Sequence, residues 1–240
     1  MTSRLPKRIP LTAAAAFFAV SALVFLLVFG NGRVDLSLAS LFYSPEAGGF
    51  PLRHHWFVEG FLYKGSKAFM TFIALLLIVL AGRLARRRTP GFTWLHFVAG
   101  VLGTLLLIVG VDAVKHLTGI QCPWSLTFYG GDSPYHDLIE ELPACFKNAA
   151  CHGRCFPAGH AMGGFYLFVW AAVFWRVRHR LALACLWGGL AAGFLLGLIR
   201  MIQGAHFLSH IVASCWCAAL VAYLIGLMLR TVEKRRPKSV

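Results

Sequence analysis

The stretch Leu181–Ile199, LALACLWGGLAAGFLLGLI, carries no charged side chain. As a helix it would rise about 28 Å, at 1.5 Å per residue, close to the roughly 30 Å hydrocarbon thickness of a bilayer. A helix with no polar face has nothing to present to water, and in lipid it needs none. Its glycines (Gly188, Gly189, Gly193 and Gly197) are the small residues that let helices approach closely inside a membrane.

Five more apolar runs extend outward from it: Leu11–Gly30, Lys67–Ala81, Thr93–Ala113, Pro157–Trp175 and Ser209–Leu229. Lys67–Ala81 is short for a span unless Phe61–Ser66 extends it. With 58% hydrophobic and 13% charged residues and a mean hydropathy of +0.69, the composition excludes an ordinary water-soluble domain. The expected fold is therefore all-α, a bundle of six transmembrane helices forming a single membrane domain over residues 1–240. Leu11–Gly30 follows a basic lead as a signal peptide would. It runs too long and lacks a small-x-small cleavage site, so it is expected to stay as the first helix.

Charge sets the orientation. Arg4, Lys7 and Arg8, then Arg83 and Arg86–Arg88, then Arg176, Arg178 and Arg180, then Arg230, Lys234–Arg236 and Lys238 occupy alternate connections. These are 15 of the 23 basic residues, with Glu233 the one acid among them, so this face and both termini are expected in the cytoplasm. The net charge of +14 is thereby accounted for by topology, and a nucleic-acid partner is not called for. The expected location is a bacterial-type inner membrane.

On the opposite face, Val34–Ser66 mixes aromatic rings with His54, His55 and Glu59, as suits a stretch at headgroup level. The longest external loop, residues 116–156 between the third and fourth helices, is expected to form a loop-rich cap. Cys122, Cys145, Cys151 and Cys155 lie in it. Outside the cytoplasm four cysteines can form disulfides in three pairings, and Cys145, Cys151, His152 and Cys155 are alternatively a zinc set.

Chemistry gathers at the outer helix ends. Pro157-Ala158-Gly159-His160 opens the fourth helix with small residues whose N–H groups suit an anion. Lys115 closes the third helix, Arg200 closes the fifth, and His206 and His210 open the sixth four residues apart, on one helical face. Two imidazoles at that spacing suit a metal pair, or a nucleophile and its orienting partner. With two cations beside them, they supply what phosphoryl chemistry needs: charge clamps, an in-line nucleophile and an acid for the leaving oxygen.

In order and spacing these blocks resemble the type 2 phosphatidic acid phosphatase superfamily, whose pattern is Lys-x6-Arg-Pro, Pro-Ser-Gly-His and Ser-Arg-x5-His-x3-Asp. The corresponding residues here are Lys115 with Cys122-Pro123, Pro157–His160, and Ile199-Arg200 with His206 and His210. The resemblance implies that His206 attacks phosphorus and that His160 protonates the leaving oxygen, then activates water. Lys115 and Arg200 would hold phosphate oxygens with backbone N–H groups around Ala158 and Gly159, with no metal or other cofactor. The implied substrate is a lipid phosphate or diphosphate at the outer leaflet, met among membrane lipids, and the product is released by a phosphatase or passed on by a phosphotransferase.

Four positions depart from the pattern. Cys122 stands for an arginine, Ala158 for a serine, Ile199 for a serine and His210 for an aspartate. His210 can accept a hydrogen bond from His206 in the aspartate's place, and Arg154, six residues before His160, is the candidate substitute for the arginine. Two other readings stay open. One is a metal-dependent membrane hydrolase built on His206, His210, His160 and an external acid; the other is an inactive relative that binds lipid phosphate or a partner protein.

Overall fold

A computed structural model describes residues 11–140 and 153–235 of the chain. The expected contacts of Cys145, Cys151 and His152 lie outside the described residues. Those described are helical, with two isolated β-bridges and no strand.

Helix α1 is Leu11–Phe29 and α2 is Arg33–Ser40; a π-helical turn, Phe57–Gly65, runs into α3, Ser66–Arg86. Then follow α4 (Trp94–Thr118), α5 (Gly159–Phe165), α6 (Leu167–Phe174), α7 (His179–Ile202) and α8 (Leu208–Arg235). Five stretches are long and apolar enough to cross a membrane: Leu11–Phe29, Phe57–Arg86, Trp94–Ser125, His179–Ile202 and Leu208–Glu233. The short run Lys67–Ala81 is thus part of a full-length helix, because the π turn brings Phe57–Gly65 into line with it.

The expected fourth span is shorter and divides at Tyr166 into α5 and α6. Its place in the bundle explains its composition. Trp170 and Phe174 are fully buried and Leu167–Ala171 are buried throughout, so this segment is apolar because protein surrounds it on every side. Helices α3, α4, α7 and α8 pack around it. The outward faces of its neighbours carry exposed apolar side chains such as Phe72, Leu106, Leu195 and Leu224, which water would not tolerate as a continuous belt. Close packing needs glycine at one crossing: a Cβ on Gly164 would stand 2.6 Å from the Gly193 Cα, so α5 and α7 meet backbone to backbone.

Each end of the bundle is tied differently. At the arginine-rich end, Glu233 of α8 accepts from Arg176 and lies 3.1 Å from His96 Nε2, joining α8, the end of α6 and the start of α4. At the other end the loops form a small core of their own, in which Phe50, Leu126, Tyr129 and Phe207 are buried together. Tyr129 reaches α2, donating to the Leu36 carbonyl at 2.9 Å. That loop core sits directly over the helix ends where the three sequence blocks meet.

Candidate active site

The turn Pro157–His160 is fixed from both sides. A disulfide joins Cys122 to Cys155, with their Cα atoms 5.2 Å apart, and the Cys155 N–H donates to the Ile120 carbonyl at 3.0 Å. Thr118 Oγ1 donates to the Phe156 carbonyl at 2.9 Å. On the other side the Ala158 N–H donates to the His210 carbonyl at 3.1 Å, and Ser214 Oγ lies 3.1 Å from the Ala158 carbonyl. This turn carries His160 into the bundle.

Two expectations change here. Pro157 precedes the cap instead of filling the first helical turn, because Ala158 stays extended to reach His210 and α5 begins at Gly159. The Ala158 N–H is engaged by that same bond and is not free for an anion; Gly159 is the first candidate donor. In addition, Cys155 cannot be a zinc thiolate, since its sulfur is bound to Cys122.

Lys115 comes from the last turn of α4, just before Gly119 closes that helix in the left-handed conformation at φ 60°. Its Nζ lies 2.9 Å from where a Cβ on Gly159 would stand, so the ammonium occupies the space that glycine leaves open. Lys115, Arg200 and Lys67 all lie within electrostatic reach of the His160 ring. The ring is held by neighbours that the sequence reading did not single out. Ser66 Oγ is 3.3 Å from His160 Nε2, and the Tyr63 ring centroid is 4.6 Å from that of His160. Tyr63 belongs to the π-helical turn, a distortion that often marks a functional site, and Ser66 follows it as the first residue of α3.

Arg200 ends α7 and lies 4.6 Å over the Tyr63 ring and 5.3 Å from that of Trp124. Its Nη1 donates to Gln203 Oε1 at 2.8 Å. Gly204, with φ at 71°, then turns the chain, and its carbonyl accepts from the Trp124 N–H at 2.9 Å. The turn places His206 beneath the loop core, with Phe207 as its anchor there.

His206 is buried at 5% exposure and His210 at 1%, with ring centroids 5.8 Å apart. The Nδ1 atoms of both are buried without a hydrogen-bond partner among the described residues. Burial holds the His206 imidazole well below its ordinary pKa; His210, Lys115 and Arg200 push the same way, and the Cys155 carbonyl opposes them. A neutral imidazole is the form that can act as a nucleophile. The start of α8 is capped from elsewhere: Asp35 of α2, 3% exposed, accepts the Ser209 N–H on Oδ1 at 2.9 Å.

The structure therefore gathers Lys115, Gly159, His160, Arg200, His206 and His210. Arg154 is exposed, with no ion pair or hydrogen bond among the described residues. His54 is largely solvated and lies 4.0 Å from Glu59. Among the described residues no three His, Cys, Asp or Glu side chains stand close enough to share a metal.

The profile of the PAP2 superfamily matches residues 93–234, from the start of α4 to the end of α8. The chain belongs to the PAP2 superfamily. It is similar to a lipid A 4'-phosphatase of Francisella tularensis subsp. novicida (strain U112), at 28% identity over 194 residues, 80% of this chain and 83% of that protein. No solved structure matches it.

Proposed function

We propose that the protein is a membrane phosphatase of lipid phosphates, using His206 as nucleophile and His160 as acid and base. The observation that carries this reading is that Lys115 and Arg200 lie within electrostatic reach of both the His160 and the His206 rings, where the ends of α4 and α7 approach the start of α5 and the loop before α8. His206 attacks phosphorus, and the bond to the leaving oxygen breaks as His160 gives that oxygen a proton. Water, deprotonated by His160, then displaces phosphate from His206. Lys115 and Arg200 neutralise the charge on the non-reacting oxygens. Tyr63 and Ser66 keep the His160 ring in register.

The outer leaflet suits this site for two reasons. The Cys122–Cys155 disulfide beside it belongs in an oxidising compartment, and the arginine-rich connections lie at the opposite end of the bundle, with the start of α1 and the end of α8. On this placement α5 and α6 complete six spans in one membrane domain. The likeness to a lipid A 4'-phosphatase makes lipid A the first substrate to try.

A second reading is favoured by one observation. His206 Nδ1 lacks the carboxylate partner that position 210 would supply in the family pattern, which suits binding without turnover. Purified protein offered a panel of lipid phosphates decides between them. The phosphatase reading expects phosphate release that persists in EDTA and vanishes in His206→Ala. Release abolished by EDTA points to a metal-dependent hydrolase, and tight binding without release points to an inactive relative.

A further inference from the structure

The site lacks one cation that the family pattern places at position 122, where this chain has half of a disulfide. Two residues on, in the same short turn, stands Trp124. Its ring carries two guanidinium groups: Arg53 Cζ lies 4.2 Å from the ring centroid and Arg200 Cζ 5.3 Å from it. We infer that Arg53, seated on Trp124 beside Arg200, is the second guanidinium that grips the substrate's phosphate oxygens. This inference rests on the phosphatase reading for its ligand and on separate observations for its geometry.

Three observations carry it. First, the pair is built: Gln203, 1% exposed, accepts from Arg200 Nη1 at 2.8 Å and donates through Nε2 to the Arg53 carbonyl at 3.2 Å. One buried amide thus sets the main chain at Arg53 in register with the Arg200 side chain. Secondly, the Arg53 guanidinium has no hydrogen bond or ion pair among the described residues, leaving its planar fork of donors open. Thirdly, Arg53 and Arg200 lie within mutual electrostatic reach as like charges. Glu59, the acid that acts on Arg200, also lies 3.9 Å from Lys64, so it offsets the charge of the pair only in part. Two guanidiniums held together by one aromatic ring repel one another until an anion comes between them. A phosphoryl dianion is the ligand of that charge and shape for which the neighbouring histidines are suited.

The turn Cys122–Ser125 thus supplies a seat for the missing cation instead of the cation itself, and the loop before the π-helical turn supplies the guanidinium. Arg154, the substitute suggested by spacing alone, is exposed and makes no hydrogen bond or ion pair with this group among the described residues.

The test is orthovanadate and orthophosphate binding to the full-length protein in detergent, measured calorimetrically for wild type, Arg53→Ala and Arg53→Lys, beside kcat/KM on a lipid phosphate. Gln203 donates to the main-chain carbonyl of Arg53, so both variants keep that anchor. Losing one charge-assisted contact weakens oxyanion binding by about 10- to 100-fold in Arg53→Ala. The lysine variant recovers part of the loss, and added guanidinium ion, but not urea, partly restores Arg53→Ala. Wild-type affinity in Arg53→Ala overturns the inference. If wild type binds vanadate but releases no phosphate, the phosphatase reading falls and the binding comparison still decides the role of Arg53. If wild type binds neither anion, both fall.

Discussion

Replacing Asp35 tests how the start of α8, and with it the His206–His210 segment, is held. Asp35 is buried, accepts the Ser209 N–H at 2.9 Å, and has its pKa pushed up from 3.8 to about 6, chiefly by burial. The raised value fixes the sign. Between those two pH values the folded protein keeps a proton that the unfolded chain releases, so stability is full below pH 4 and is lost as pH rises through about 6. The loss sums to about 3 kcal/mol. Asp35→Asn retains an acceptor for Ser209 and removes the buried charge. It should match wild type near pH 4 and exceed it at pH 8, by up to about 3 kcal/mol. Asp35→Ala removes the acceptor as well, strands a buried N–H, and should fall about 1–3 kcal/mol below the asparagine variant at every pH. Thermal unfolding in detergent across pH 4–8 measures both gaps. An asparagine variant weaker than wild type at pH 8, with a gap that ignores pH, would refute the reasoning.

Further outcomes follow from other contacts. Gly159→Ala puts a methyl group 2.9 Å from Lys115 Nζ, the movable end of a side chain, so the unfolding temperature should hardly change while kcat/KM drops at least tenfold. Equal losses in both would show that Gly159 serves packing alone. Cys122→Ser with Cys155→Ser opens a loop of sequence separation 33 and should cost about 3–4 kcal/mol by chain entropy, and reductant should destabilise wild type but not the double variant. Glu233→Ala removes the acceptor shared by Arg176 and His96, leaving His96 nearly fully buried without that partner. It should destabilise by about 1–3 kcal/mol with kcat/KM unchanged in the folded fraction, as circular dichroism melting and phosphate release would show.

Five of the six expected spans were legible because long, charge-poor runs are a one-dimensional signal. Lys67–Ala81 looked short only because Lys64, Ser66 and Lys67 interrupt its hydropathy, while the π turn continues the helix through them. Lys115, Gly159, His160, Arg200 and His206 were legible from order and spacing, since each sits at a helix end. Tyr63, Ser66, Arg53 and Trp124 were not, because their part depends on a segment folding back over the bundle, which no periodicity records. Asp35 was hidden for the same reason: it caps a helix that begins 173 residues later in the chain. The departures were visible as substitutions, but only the structure shows that Cys122 is tied to Cys155 and that the Ala158 N–H serves His210.

On the proposed mechanism, acid–base chemistry and charge clamps at this site all serve a single bond between phosphorus and His206. Rapid quenching of the enzyme during turnover of a 32P-labelled lipid phosphate, followed by peptide mapping, reads that bond directly. The account predicts an alkali-stable, acid-labile label on the peptide carrying His206, absent in His206→Ala and accumulating in His160→Gln when the leaving group needs no protonation. Turnover that proceeds with no label on His206, or with the label on another residue, would contradict it.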